Sequence, residues 1–162
     1  MKRMPHFLIR DAIQTDLPGL AAAMVRLQNE HVDAFPDIYR PFGLADAQAH
    51  LASLLALPNT TIRVATDGKT VAGHVVFHVE ERPQSLFTHA QRYGHIAQIE
   101  VAPAYRRMGL GRMLLADCDR LAKSHGLTRI VLDVWAFNAS ARSFFRGSGY
   151  DALGAKMIHR LG

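Results

Sequence analysis

Residues 101–112 read VAPAYRRMGLGR, and they lie between a segment with a strand pattern and a segment with a helix pattern. The glycines at 109 and 111 allow a backbone to approach a ligand closely. The first N–H groups of a helix have no partner within the helix, and its dipole favours negative charge there. The stretch therefore predicts an anion site, most naturally for phosphate. Three arginines add positive charge to it: Arg106, Arg107 and Arg112.

Two common nucleotide-binding motifs are excluded at this stretch. A dinucleotide-binding fingerprint would need a third glycine at position 114, which holds Leu114. A P-loop needs the tripeptide Gly-Lys-Ser or Gly-Lys-Thr, and the sequence contains neither. Taken alone, the two glycines fit an ordinary strand-to-helix turn equally well.

Hydrophobic periodicity outside this stretch predicts an ordered series of elements. We expect strands at residues 6–12, 61–66, 71–80, 94–102 and 128–136, with two short final strands at 150–153 and 155–160. We expect helices from Thr15 or Asp16 to about His31, then at 44–56, 109–125 and 139–146. The turn residues at 67–69 join two of the strands as a hairpin. The order implies an α/β (α+β) fold, with a mixed sheet and helices on both faces.

Composition limits the class of protein. A chain of 162 residues, 49% hydrophobic and free of Pro/Gly/Ser linkers, predicts a single domain spanning 1–162. One cysteine, Cys118, excludes an internal disulfide framework and a multi-cysteine zinc site. No apolar run reaches the roughly 18 residues of a membrane span, and the basic N-terminus lacks a signal-peptide core. We expect a soluble, cytoplasmic protein that does not bind a membrane.

The net charge of +5 permits nucleic acid, an anionic membrane or a polyanionic small ligand as partner. The densest basic cluster lies at residues 106–112 among glycines rather than along a face, which favours a phosphate pocket over nucleic acid. Nine histidines raise the question of a metal site. His74 and His78 are four residues apart on a predicted strand, about 13 Å, which is too far to share one ion. We therefore expect no metal and no nucleic acid.

Two motifs together resemble those of the GCN5-related N-acetyltransferase (GNAT) superfamily. The pattern Arg106-x-x-Gly109-x-Gly111, after a strand ending Val101-x-Pro103, resembles the acyl-CoA loop of that family. A second signature is matched, in order, by Asn138, Ala141, Phe144, Phe145, Gly149 and Tyr150. The order of the predicted elements is also similar, so the resemblance covers residues 6–155.

The resemblance implies both a fold and an activity. The fold is a mostly antiparallel sheet of six to seven strands, flanked by about four helices and splayed between strands 4 and 5. The activity is transfer of an acetyl group from acetyl-CoA, without a metal, to a primary amine of a small-molecule or amino-acid/peptide acceptor in a ternary complex. Homodimers are common in the family, although no feature of this sequence indicates one.

The resemblance also assigns the cofactor site. Backbone groups on the fourth strand would pair with the pantetheine arm, amides of residues 108–112 would hold the pyrophosphate, and Asn138 would bind beside them. The residues concerned are Ile99, Val101, Arg106, Arg107, Met108, Gly109, Leu110, Gly111, Arg112, Asn138 and Phe145.

Phe145 is a departure from the family pattern. It stands where relatives often carry a tyrosine that protonates the leaving thiolate, and phenylalanine has no proton to give. A thiol with a pKa of about 8.5 is a tolerable leaving anion, so this does not abolish activity. The alternative function is a non-catalytic acyl-CoA-binding module of the same fold.

The catalytic base and the acceptor site are less well defined. Since an amine with a pKa near 10 must lose a proton before it attacks, a base is needed, and the fourth strand offers His95 and Glu100. Alternatively, His95 is a polar residue at the strand start, and Glu100 is solvated or paired with an arginine. His31, Asp37 and Tyr39 lie in a segment that covers the acceptor site in similar enzymes. They are candidates for binding a cationic acceptor, or else for loop packing and capping.

Overall fold

A computed structural model describes residues 6–161, so the basic segment 1–5 and Gly162 lie outside the described residues. Five strands are present: β1 (Leu8–Asp11), β2 (Thr60–Thr66), β3 (Val71–Arg82), β4 (Gln91–Val101) and β5 (Ile130–Leu132). Four helices accompany them: α1 (Leu17–Ala34), α2 (Leu44–Leu55), α3 (Leu110–Ser124) and α4 (Ala139–Arg146). Short 3₁₀ turns occur at Gln14–Asp16 and Pro103–Tyr105.

The strands form one sheet in the order β1-β2-β3-β4-β5. The first three pairings are antiparallel, and β4 pairs with β5 in parallel. Because parallel neighbours need a crossover, α3 connects β4 to β5. The expected mixed, mostly antiparallel sheet is therefore confirmed.

The expected number of six to seven strands is wrong, because the described residues form five. The two final strands predicted at 150–153 and 155–160 are absent, and that part of the chain has no regular structure. The strand predicted at 128–136 is also shorter, at Ile130–Leu132. Side-chain pattern alone does not make a strand, since the backbone groups also need a neighbouring strand to bond.

The sheet separates two hydrophobic layers. On one face, α3 and α4 contribute Leu114, Cys118 and Phe145 to a cluster that includes Phe77 and Ile96 of the sheet. On the other face, α1 and α2 pack Leu20, Ala47 and Leu51 against residues of β2 and β3. Amphipathic helices on both faces bury the alternating side chains of the strands. None of the helices within residues 6–161 is long and apolar enough to cross a membrane.

The helix boundaries follow their capping residues. Asn138 begins α4, and its side-chain oxygen accepts a hydrogen bond from the Ala141 N–H at 3.0 Å. Gly126 follows α3 with φ at +67°, the left-handed conformation that glycine adopts without strain. The helix predicted at 139–146 is confirmed, and α1 continues to Ala34, beyond the predicted end.

Candidate active site

A gap opens where β4 and β5 separate. The two strands pair only at Gly94, His95 and Ile96 of β4, while β4 continues to Val101. Ala97 is an extra residue in β4, since Val76 pairs with Gln98 and Phe77 pairs with Ile96. Such a bulge changes which backbone groups point to each side of a strand. From Ala97 onward, the side of β4 that faces away from β3 is free.

The bulge directs the backbone of Ile99 and Val101 into this gap. Before the bulge, the Gly94 N–H donates across to the Arg129 carbonyl, just before β5, at 3.0 Å. After it, the Ala102 N–H donates to the carbonyl of Ala72 in β3 at 2.9 Å. Since antiparallel residues alternate in the direction of their backbone groups, Ile99 and Val101 point away from β3. The Val101 carbonyl accepts a hydrogen bond from Arg106 Nε at 3.1 Å.

The N-terminus of α3 lies at the end of the gap and has free backbone donors. Gly109 precedes the helix with φ at +83°, and no side chain caps this end. The first N–H group with a hydrogen bond inside the helix is that of Met113, which donates to the Gly109 carbonyl at 3.1 Å. In the described part of the chain, the N–H groups of residues 110–112 have no partner. The predicted loop residues Arg106, Arg107 and Met108 are exposed beside them. Donors and positive charge suited to a pyrophosphate thus come together here.

Gly111 has a second role that sequence reasoning missed. A Cβ atom at this position would lie 2.9 Å from Cζ of Phe144 in α4, so the absence of a side chain lets the two helices approach. At Gly109, by contrast, a Cβ atom would meet nothing within 4 Å. Gly109 is required for its backbone angle, whereas Gly111 is required for packing.

Asn138 and Phe145 lie at the α4 side of the gap. The Asn138 side-chain oxygen caps α4, and its amide N–H₂ makes no hydrogen bond in the described chain. Phe145 is buried in the core, with its ring edge-on to Tyr150 at 5.7 Å between centroids. Neither arrangement places a proton donor at position 145.

A cavity of about 650 Å³ opens between α1, α2 and the sheet, large enough for a small molecule. Its floor includes Ala97 and Gln98, so it meets the gap where β4 becomes free. Its polar lining side chains are Gln28, His31, Arg40, Asp46, His50, His78 and Gln98. An amine bound in this cavity would therefore lie beside the expected position of the thioester.

His95 stands on the same face of the sheet as His78, which lines the cavity. The two rings stack with centroids 6.3 Å apart. His95 Nε2 lies 3.7 Å from a carboxylate oxygen of Asp133, just after β5. His78 hydrogen-bonds to the Thr60 hydroxyl at 2.7 Å through Nδ1. Burial, with a smaller effect of His95, lowers the pKa of His78, which keeps its ring neutral at neutral pH.

Glu100 is buried and paired with an arginine. Its two carboxylate oxygens each accept a hydrogen bond from Arg26 of α1 at 3.2 Å. His74 Nδ1 lies 4.0 Å away, and burial lowers the pKa of that histidine to about 4. Burial raises the pKa of Glu100, while Arg26 acts in the opposite direction. Of the two structural alternatives for Glu100, solvation and pairing with an arginine, the geometry therefore matches pairing with an arginine.

The three predicted acceptor residues have different surroundings. His31 lines the cavity, and its Nδ1–H donates to the Leu27 carbonyl at 2.8 Å. Tyr39 packs on the His31 ring at 5.2 Å between centroids. Asp37 is exposed and forms an ion pair with Arg160, which lowers the pKa of its carboxyl group.

His31 and Tyr39 belong to an aromatic cluster that also contains Phe35, Trp135 and Phe137. Neighbouring rings in it lie between 5.2 and 6.5 Å apart. The cluster joins the end of α1 to the loop after β5, beside the cavity.

Sequence reasoning missed several residues of this site: Arg26, Gln28, Arg40, Asp46 and His50. Most of them lie on the two N-terminal helices, far in sequence from the motifs. The spacing of residues along a helix indicates only whether a position faces the core or the surface. It does not indicate that a position lines a cavity. Within the described residues, no group of three or more His, Cys, Asp or Glu side chains is placed to hold a metal ion.

Comparison with known proteins is consistent with this geometry. The catalytic subunit ard1 of the N-terminal acetyltransferase A complex of Schizosaccharomyces pombe is 29% identical over 140 residues, covering 85% of this chain and 69% of that protein. A tetramutant of the BH1408 protein from Bacillus halodurans has a similar structure, with a TM-score of 0.89 at 22% identity, covering 95% and 99% of the two chains. The aminoglycoside N-acetyltransferase AAC(6')-Iy, in complex with CoA, has a TM-score of 0.78 at 16% identity, covering 99% and 98%.

The family model matches most of the chain. Residues 24–150 fit the Acetyltransferase (GNAT) family, and this range includes the gap, the α3 N-terminus and the second signature. The chain therefore belongs to the acetyltransferase (GNAT) family and is an acetyl-CoA-dependent N-acetyltransferase.

Proposed function

We propose that the chain acts as one domain and transfers an acetyl group to the primary amine of a small-molecule or amino-acid/peptide acceptor held in the cavity between α1, α2 and the sheet. One observation carries this proposal. The cavity floor at Ala97 and Gln98 is also the point where the backbone of β4 becomes free for a second ligand. Two ligands can therefore meet there in a ternary complex, without a covalent enzyme intermediate.

The residues along β4 and α3 fit acetyl-CoA. Outward backbone groups of Ile99 and Val101 would bond the pantetheine arm as an added strand does. The free N–H groups of residues 110–112, with Arg107 and Arg112, would hold the phosphates. The amide N–H₂ of Asn138 would bind beside the arm. When bound, acetyl-CoA supplies the acetyl group as a thioester, and a backbone N–H of β4 near Val101 would orient its carbonyl.

His95 is the base that the geometry favours. It lies where β4 and β5 separate, and its Nε2 lies 3.7 Å from the Asp133 carboxylate, which can orient the ring. The His78 ring, which lines the cavity, stacks on the His95 ring, so His95 lies one side chain away from a bound amine. Glu100 stays a candidate, but both of its oxygens already bond Arg26.

The acceptor cavity is mixed in charge. Asp46 offers a carboxylate to an ammonium group, whereas Arg40 contributes a cation to the lining. The Nδ1–H of His31 already donates to the Leu27 carbonyl, so Nε2 is the ring nitrogen left to contact an acceptor. We propose that His31 contacts the acceptor amine directly. Tyr39 and Asp37 lie in the segment between α1 and α2 that borders the cavity, and we propose that they also help to bind the acceptor.

The direct test is release of free thiol from acetyl-CoA across a panel of polyamines, aminoglycosides, amino acids and short peptides. Each acceptor is compared with an acceptor-free blank. Thiol release with one class of amine, matched by the mass of the acetylated product, supports the proposal. Thermal stabilisation by acetyl-CoA without thiol release from any amine would favour the non-catalytic binding alternative.

The phosphate site has a matched pair of variants. We expect Gly109→Glu to weaken CoA binding at least tenfold, about 1.4 kcal/mol, because it places a negative charge beside the free N–H groups of α3. Gly68→Glu is the control, since Gly68 also has a positive φ, +91°, and nothing within 4 Å of its Cβ position. Calorimetry with CoA measures both. Equal loss in the two variants, or no loss in folded Gly109→Glu, would contradict the assignment.

A further inference from the structure

The charged and the apolar side chains of the acceptor cavity lie at different depths. Arg40, in the segment between α1 and α2, and Asp46, in the first turn of α2, both line the cavity and are exposed. Met24, Ala47 and Val76 line the same cavity and are buried. The opening of the cavity at Arg40 and Asp46, here called the mouth, therefore carries one cation and one anion, while the interior is apolar.

The protein itself neutralises neither charge at the mouth. Among the residues that the structure describes, the Arg40 guanidinium and the Asp46 carboxylate have no ion-pair partner, whereas the exposed Asp37 pairs with Arg160. The backbone of Arg40 is nevertheless tied to the cavity wall. Its carbonyl accepts a hydrogen bond at 2.8 Å from Nε2 of Gln28, an α1 residue that also lines the cavity. The mouth thus offers two opposite charges with which a ligand can pair.

These two charges discriminate among classes of amine. A polyamine or an aminoglycoside has several cations and no anion, so Arg40 would repel it. A phosphorylated amine would bring a strongly negative group beside Asp46, which would repel that group in turn. The α-amino and α-carboxylate groups of a free amino acid carry one charge of each sign, so Asp46 and Arg40 can pair with both at once. The mouth therefore matches a zwitterionic head group.

The amine that reacts must lie away from the mouth. The thioester is expected beside Ala97 and Gln98, which belong to the sheet, whereas the mouth belongs to the helical layer packed over it. An α-ammonium group that pairs with Asp46 is held at the mouth. The amine that reaches the sheet is then a second one, at the end of a side chain whose methylene groups contact the buried side chains of Met24 and Val76.

We propose that the acceptor is a free diamino acid, such as lysine or ornithine, and that the chain acetylates its side-chain amine. This rests on the acetyl transfer proposed above and makes Arg40 and Asp46 the residues that determine specificity. The lone pair of the side-chain nitrogen forms the new C–N bond, and the C–S bond breaks with its electron pair on sulfur. The proton lost by the nitrogen ends on the thiol of CoA.

Calorimetry on the chain saturated with CoA tests recognition of the head group without turnover. The ligands are lysine, cadaverine, which lacks the carboxylate, and 6-aminohexanoate, which lacks the α-ammonium group. We expect lysine to bind roughly tenfold tighter than either. Arg40→Gln should remove the preference over cadaverine, and Asp46→Asn the preference over 6-aminohexanoate. Arg146→Gln is the control, because Arg146 is an exposed residue of α4 on the opposite face of the sheet, and it should change neither preference.

Thiol release separates this proposal from acetyl transfer itself. We expect acetyl-lysine whose side-chain nitrogen carries the acetyl group, as identified by fragmentation in a mass spectrometer. Cadaverine binding as tightly as lysine, a preference that survives Arg40→Gln, or acetylation of the α-nitrogen would overturn the assignment of a diamino acid. Thiol release with other amines would then still support acetyl transfer. If lysine binds in an Arg40-dependent way and no amine releases thiol, acetyl transfer fails, while recognition of the diamino acid is supported.

Discussion

Replacing Arg26 with alanine would leave the buried carboxylate of Glu100 without its cation. Both carboxylate oxygens lie 3.2 Å from Arg26 nitrogens, and the Glu100 side chain is 8% exposed. Nearby, His74 is neutral because burial lowers its pKa to about 4. Arg106 contributes a weaker favourable charge, and Glu30 an unfavourable one. No neighbour therefore takes the place of the missing guanidinium.

The cost of Arg26→Ala follows from this geometry. At 3.2 Å and an effective dielectric constant of about 20, the attraction is roughly 5 kcal/mol. Breaking a fully buried pair costs about 3–5 kcal/mol. The Arg26 side chain is 44% exposed, so solvent screens the pair, and we expect a loss of about 1.5–3 kcal/mol. For a chain of this length, that lowers the melting temperature by roughly 3–12 °C.

The loss of stability caused by Arg26→Ala should depend on pH. Burial already raises the pKa of Glu100, and removing Arg26 raises it further. A carboxyl group whose pKa is higher in the folded state binds its proton more tightly there than in the unfolded chain. Acidification through that pKa therefore favours folding. We expect the deficit of Arg26→Ala relative to wild type to be largest near neutral pH and to shrink towards pH 5.

This prediction is tested by measuring the free energy of unfolding at neutral pH and at pH 5. Four proteins are compared: wild type, Arg26→Ala, Glu100→Gln and the double variant. The double variant should recover much of the loss, because a neutral amide needs no cation. A deficit that is equal at both pH values, or a double variant as unstable as Arg26→Ala, would refute the role of the ion pair.

Two further outcomes concern catalysis and packing. We expect His95→Ala to lower kcat about 100-fold in the thiol-release assay. Glu100→Gln should lower kcat less than tenfold, and the reverse order would make Glu100 the base. Gly111→Ala should lower the melting temperature because its Cβ would meet Phe144 at 2.9 Å. Adding Phe144→Leu should restore part of it, and no recovery would show that the contact is unimportant.

Much of the fold could be predicted from local sequence signals. The turn at 67–69 and the helix at 139–146 depend on neighbouring residues, and the structure contains both. The predicted phosphate loop also lies at a helix start with free N–H groups, since a glycine with φ at +83° and no capping side chain is a local feature. The two motifs were sufficient to indicate the family.

The catalytic surroundings could not be predicted in the same way. Glu100 and Arg26 are 74 residues apart, and His31 meets Trp135 across the molecule. Nothing in the spacing of either residue indicates its partner. The bulge at Ala97 was equally hidden, although it decides that Ile99 and Val101 face the gap.

The sequence by itself determined the family, the order of the elements and the residues of the phosphate loop, because these depend on short-range periodicity and on glycine's backbone freedom. Tertiary structure alone decided which strands exist. Residues 150–160 have the side-chain pattern of strands, but a strand forms only where another backbone lies alongside, and within residues 6–161 none does. It also decided that Gly111 packs against Phe144 and that Glu100 is held by Arg26, since both are contacts between elements brought together by folding.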